Sequence, residues 1–145
     1  MPQSYHRIWI HAIWSTKERT PYIVPAVENK IYQFLKEQFI ATGCRVSIIN
    51  GMPDHVHCLF LLSKQQSIAE VIKQVKGSSA HFINQQQILP MRFSWQNGYA
   101  AYSVSEKAVK KVFEYIKNQK QHHITKDFEA EYDMFLRYYG FNPKL

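Results

Sequence analysis

Met52-Pro53-Asp54-His55-Val56-His57-Cys58-Leu59-Phe60-Leu61-Leu62 reads as a turn that opens into a strand. Alternate side chains of a strand share a face, so His55, His57, Leu59 and Leu61 point one way and Val56, Cys58, Phe60 and Leu62 the other. Apolar residues on both faces predict a strand covered on both sides and internal to its sheet. Two imidazoles side by side on a rigid strand can clamp a divalent metal ion. The chain holds seven histidines. Spacing alone therefore leaves a second reading open, two strand histidines bonded to nearby backbone.

Upstream, Cys44–Asn50 (CRVSIIN) reads as a strand, and Gly51-Met52-Pro53-Asp54 turns it back as a hairpin. Before it, Val27, Ile31, Phe34, Leu35, Phe39 and Ile40 recur at helical spacing from about Pro25 to Thr42, and Gly43 stops the helix. Tyr5–Thr16 alternates as a first strand, with Ile8, Ile10, Ala12 and Trp14 on one face and Arg7, Trp9, His11 and Ile13 on the other. Downstream, Ser67 with Glu70 forms a capping box for a helix reaching Gln86, with Gly77 weighing against one unbroken helix. A Gln-Asn-Gly turn precedes a strand over Tyr99–Val104. Ser105 then caps a helix from Glu106 to about His122, and a last amphipathic helix covers about Phe128–Tyr139 and ends at Gly140. The order β-α-β-β-α-β-α predicts an α+β fold: a ferredoxin-like split βαβ antiparallel sheet with helices on one face plus C-terminal helices, in a single domain over 1–145. That scaffold serves many functions and decides none.

Composition narrows the classes. A chain of 145 residues, 46% hydrophobic, can bury the core of one ordinary domain. Its apolar runs fall far short of the roughly 20 residues a membrane span needs, and its start, Met1-Pro2-Gln3-Ser4-Tyr5-His6-Arg7, has no signal-peptide core. Cys44 and Cys58 make no secreted disulfide framework, so a reduced cytoplasmic chain is expected, with no membrane partner. A net charge of +7 and a pI near 9.4 favour a polyanionic partner. Aromatic content of 14% suits base stacking as well as core packing.

On the helix predicted over 106–122, Tyr115 and Gln119 lie four residues apart and share a polar face with Lys111, beside the apolar stripe of Val112 and Ile116. Tyrosine is a weak nucleophile near neutral pH because its pKa is about 10. It becomes competent when a metal ion polarises the electrophile and stabilises the phenolate. A half-buried helical tyrosine is the other reading of Tyr115.

HVHCLF resembles the H-hydrophobic-H signature of the HUH endonuclease superfamily. With Met52-Pro53-Asp54-His55-Val56-His57, Trp95-Gln96-Asn97-Gly98-Tyr99, Ser103-Val104-Ser105 and Tyr115-Ile116-Lys117-Asn118-Gln119-Lys120-Gln121-His122-His123, the chain resembles the single-tyrosine (TnpA-like) transposases of small insertion sequences. Domesticated relatives acting at repetitive extragenic palindromes share that pattern. The resemblance covers most of the chain, from the first strand and its Ser15-Thr16-Lys17-Glu18-Arg19 turn to His123.

The resemblance implies a concrete chemistry. His55, His57 and Gln119 would hold Mg²⁺ or Mn²⁺, and Tyr115 would attack a DNA phosphate to leave a 5′-phosphotyrosine and a free 3′-OH. It implies single-stranded DNA hairpins at element ends as partner, and a homodimer whose tyrosine helices can complete each other's sites. Lys17, Arg19, Lys73, Lys76 and Lys111 are candidate phosphate contacts, with Lys107, Lys110 and Lys117 beside them. His122 and His123 stay outside the catalytic set. The catalytic domain is expected to end the chain at Leu145, and in the cell the protein would sit on the nucleoid when bound to DNA. Two rivals remain: a non-catalytic ferredoxin-like nucleic-acid-binding module, and a metal-dependent phosphoesterase using water as nucleophile.

Overall fold

Four antiparallel strands run in the order β2-β3-β1-β4, with β1 at Trp9–Ser15, β2 at Arg45–Met52, β3 at His55–Leu61 and β4 at Ala100–Val104. This computed structural model describes residues 3–123 and 126–142. The start at Met1-Pro2 and the end at Pro143–Leu145 lie outside the described residues. Sheet order and strand directions are those of the ferredoxin-like split βαβ fold, and β3 is internal as its two apolar faces require. The first strand starts later than its alternation suggested. Trp9 pairs with Leu61 and with Val104, the last residues of both neighbours, so Tyr5–Ile8 extend past the sheet.

Helices α1 (Pro25–Ala41) and α2 (Ile68–Gln85) cover one face. They bury Ile31, Leu35, Phe39, Val71, Ile72 and Val75 against Ile10, Ala12, Trp14, Val56, Cys58 and Phe60. Hydrophobic burial of this kind is the main stabilising term of the fold. The Ser67–Glu70 capping box forms in full, with Glu70 N–H to Ser67 Oγ at 3.1 Å and Ser67 N–H to Glu70 Oε1 at 2.9 Å. Gly77 does not break α2. A side chain there would meet open space, so nothing in the packing pulls the helix apart at that point.

The other face carries the C-terminal helices. The stretch predicted as one helix over 106–122 is a 3₁₀ turn (Glu106–Ala108), then α3 (Val109–Lys117), then the short α4 (Gln119–His122). Ser105 makes no side-chain cap bond. The break falls at Asn118, beside two carbonyls that β2 has engaged. Asn50 Nδ2 donates to Ile116 O at 3.0 Å and to Lys117 O at 3.1 Å. Helix α5 (Phe128–Tyr138) begins at Asp127, whose carboxylate accepts from Ala130 N–H at 2.9 Å. Two small apolar clusters result. One gathers Leu59, Val104 and Ile116 under α3, the other Ile13, Ala100, Tyr102 and Phe128 under α5. The sheet's histidines lie between these two clusters.

Candidate metal centre and nucleophile

Register fixes the centre before any side chain is placed. Ile13 pairs with His57, Ser15 with His55 and Asn50 with His57, so β1, β2 and β3 present their residues to one patch. His55 and His57 are both fully buried on that patch, a costly place for polar rings unless every nitrogen is partnered. Each Nδ1 is tied off behind: His55 to Asp54 Oδ1 at 2.7 Å and His57 to His11 Nε2 at 2.8 Å. Asp54 is itself positioned by Thr16, whose N–H donates to Asp54 O at 2.9 Å.

Both Nε2 atoms face the helices. His55 Nε2 lies 3.2 Å from Gln119 Oε1 and 3.3 Å from Glu131 Oε1, and His57 Nε2 lies 2.9 Å from Glu131 Oε1. The second carboxylate oxygen of Glu131 accepts from Gln119 Nε2–H at 2.8 Å and from the Tyr115 hydroxyl. His123 Nε2 reaches Glu131 Oε1 at 3.1 Å, and the His122 ring stacks on Tyr115 with centroids 4.6 Å apart. Gln119 and Glu131 are as buried as the histidines, while Tyr115 is half-buried.

The electrostatics follow from burial opposed by charge. Burial pushes His57 down to about 4 despite the Glu131 carboxylate, and pushes His11 down with His57 adding to the effect. Burial also acts against charge on His55, but hydrogen bonds to Asp54 and Glu131 outweigh it and raise its pKa. Burial and the adjacent carboxylate push the Tyr115 phenol up. Glu131 would rise on burial alone, yet its bonds to His55 and His57 hold it well below the ordinary carboxylate range.

These signs fix the protons. A carboxylate only accepts, so neutral His57 donates from Nε2 and its Nδ1 accepts from His11 Nε2–H. A divalent cation held by His55 and His57 would take the place of the Nε2 protons: His55 would keep its Nδ1–H on Asp54, and His57 would carry its proton on Nδ1 and donate it to His11 Nε2. The donor set fits a divalent ion: His55, His57 and Glu131 offer ligand atoms within 4.8 Å of one another.

All four residues expected at the centre, His55, His57, Tyr115 and Gln119, meet within one chain. Two of the expected phosphate contacts lie away from it. Lys73 and Lys76 lie on α2, across the sheet, and Lys76 Nζ donates to Gln96 O and Gly98 O at 2.7 Å each. Lys17, Arg19 and Lys111 are exposed, and Arg19 pairs with Glu129 at 3.1 Å. Glu131 and His11 enter the cluster unannounced, and His122 and His123, kept outside the catalytic set, also border it. For Glu131 a sequence signal existed: it occupies the apolar stripe of α5 between Phe128, Tyr132 and Phe135.

A family model described as "Transposase IS200 like" matches residues 4–119. The chain belongs to that family. It is a DNA transposase, and the matched span runs from before β1 to Gln119, stopping short of α5. This IS200-like transposase is 29% identical over 119 residues to the ISDra2 transposase TnpA of Deinococcus radiodurans, covering 79% of this chain and 85% of that one. A crystal structure of a candidate transposase from Deinococcus radiodurans R1 superposes with a TM-score of 0.62 at 27% identity, over 82% of this chain and 98% of that one. A REP-associated tyrosine transposase bound to a REP hairpin gives a TM-score of 0.62 at 13% identity, over 85% and 73% of the two chains, a likeness of fold. Among the described residues no helix is long and apolar enough to cross a membrane.

Proposed function

We propose that this IS200-like transposase cuts and rejoins single-stranded DNA at hairpin-bearing element ends through Tyr115, with residues 1–145 acting as one catalytic domain. The observation that carries the reading is the meeting of the Tyr115 hydroxyl, the Gln119 amide and the two His Nε2 atoms in one cluster of a transposase-family chain. His55, His57 and Gln119 would hold Mg²⁺ or Mn²⁺, and oxygen and imidazole donors suit such ions. A bound ion supplies charge neutralisation at the scissile phosphate.

The residues do the rest. Tyr115 Oη attacks phosphorus and gives up its proton to solvent, the bond from phosphorus to the 3′-oxygen breaks, and that oxygen takes a proton from solvent. A free 3′-OH and a 5′-phosphotyrosine result. Attack by a second 3′-OH on that link reseals the strand and returns the phenol, so no nucleotide cofactor is consumed. His11 and Asp54 orient the two metal-binding rings. A homodimer, in which the tyrosine helix of one subunit can complete the site of the other, belongs to this reading. Lys17, Arg19 and Lys111 are its exposed phosphate contacts.

The test is a denaturing-gel assay for a covalent adduct, using hairpin DNA from the flanks of the gene with Mg²⁺, Mn²⁺ or EDTA. A metal-dependent adduct abolished in Tyr115→Phe and in His57→Ala is the expected result. DNA cleavage retained in Tyr115→Phe would instead identify a water-based phosphoesterase. Binding without cleavage would identify a nucleic-acid-binding module.

A further inference from the structure

Glu131 stands outside everything that the family match covers, because the matched residues end at 119. It is nevertheless the most connected side chain of the centre, with contacts to His55, His57, His123, Gln119 and Tyr115. Metal ligands of Mg²⁺-like ions sit about 2.1 Å from the ion, so neighbouring vertices of an octahedron lie roughly 3.0 Å apart. Here Glu131 Oε1 is 2.9 Å from His57 Nε2 and 3.3 Å from His55 Nε2, and Gln119 Oε1 is 3.2 Å from His55 Nε2. Those are the separations that adjacent ligand atoms need. The carboxylate is also the only anion whose oxygen touches both Nε2 atoms among the described residues, and it would offset charge that two imidazoles and an amide leave unbalanced.

We propose that Glu131 is a ligand of the same metal ion as His55 and His57, which makes the C-terminal helix α5 a working part of the site. The inference rests on the metal-dependent reading above. Its consequence is structural: binding of the ion docks α5 onto the sheet through Glu131, while the other oxygen of the same carboxylate keeps the Tyr115 hydroxyl beside the ion.

The experiment needs no DNA. Mn²⁺ is titrated calorimetrically into the wild-type chain, Glu131→Gln and Glu131→Ala, with circular dichroism checking the fold. Amide hydrogen exchange of residues 126–138 is followed in the wild type with and without Mn²⁺. Expected are at least tenfold weaker Mn²⁺ binding in both variants and at least tenfold slower exchange in α5 on adding the ion. If the variants fail to fold, the wild-type exchange decides alone. Mn²⁺ binding that is unchanged or tighter in Glu131→Gln, or exchange in α5 that is unchanged or faster with Mn²⁺, would overturn the proposal and make Glu131 a plug that the ion displaces. A missing DNA adduct would count against the tyrosine mechanism and leave this result standing.

Discussion

Removing the side chain of Asn50 should loosen the helix that carries the nucleophile. Asn50 lies on β2, opposite His57, and its amide holds the C-terminal turn of α3 through Ile116 O and Lys117 O at 3.0 and 3.1 Å. Its Oδ1 accepts from Lys120 Nζ at 3.0 Å. A hydrogen bond contributes a net 0.5–1.5 kcal/mol, so the two carbonyl bonds together are worth about 2 kcal/mol. The lysine contact is exposed and adds little. With a urea slope of about 2 kcal/mol/M, Asn50→Ala should lower the unfolding midpoint by roughly 1 M. Asn50→Asp should be at least as damaging, because it sets a carboxylate against two carbonyl oxygens. Tyr115 immediately precedes Ile116, and Gln119 follows Lys117 by two residues. A shift of this turn therefore misaligns nucleophile and ligand together, and the adduct rate per folded molecule should fall about tenfold or more. Urea titration and single-turnover adduct formation measure the two effects. A midpoint within about 0.25 M of the wild type and an adduct rate within about twofold would refute the claim that Asn50 anchors this helix.

Two further outcomes follow from neighbouring features. Gly51 pairs with Val56, and a Cβ there would lie 2.1 Å from His55 O and 2.9 Å from Val56 Cα, backbone atoms that cannot move aside. Gly51→Ala should cost about 3 kcal/mol or more and lower the melting temperature by roughly 10 °C; a drop under about 3 °C would show that β2 shifts freely. Acid should destabilise the metal-free protein. His57 is held at about 4 in the folded chain, so its contribution is full above about pH 6.5 and is lost as pH falls toward about 4, and His11, held below its ordinary value by burial, acts with the same sign. His55, raised, has the opposite sign: its contribution is present below about pH 6.5 and lost as pH rises through its folded value. The fall of His57 from its ordinary 6.5 to about 4 is alone on the order of 3 kcal/mol, His11 adds to it, and Glu131, held low, begins to lose its contribution only as pH falls below about 4.5. Urea unfolding in EDTA should therefore show a loss on the order of 3 kcal/mol between pH 7 and 4.5, and stability that is flat or rising over that interval would contradict the burial account.

What the sequence discloses here depends on how local the cause is. The strand at 55–61 could be read because alternation is a property of neighbouring residues, and its apolar faces made its internal position a matter of counting. The Ser67–Glu70 box could be read for the same reason, since both partners lie within one turn. The break at Asn118 could not. Nothing in Glu114–Lys120 forbids a helix, and the side chain beside the break, Asn50, comes from 66 residues upstream of Ile116. Lys76 carried the same ambiguity: as a letter it is a surface cation, and only the fold brings the carbonyls of Gln96 and Gly98 to its ammonium. Glu131 is the instructive case. A carboxylate on an apolar stripe announces that something must pair with it, because burying an unpaired charge is prohibitive. The helix pattern therefore held the question, and the strand pattern, with two histidines on one face and a third imidazole in β1, held the answer. The two lie 74 residues apart between His57 and Glu131, and only the sheet register and the position of α5 join them.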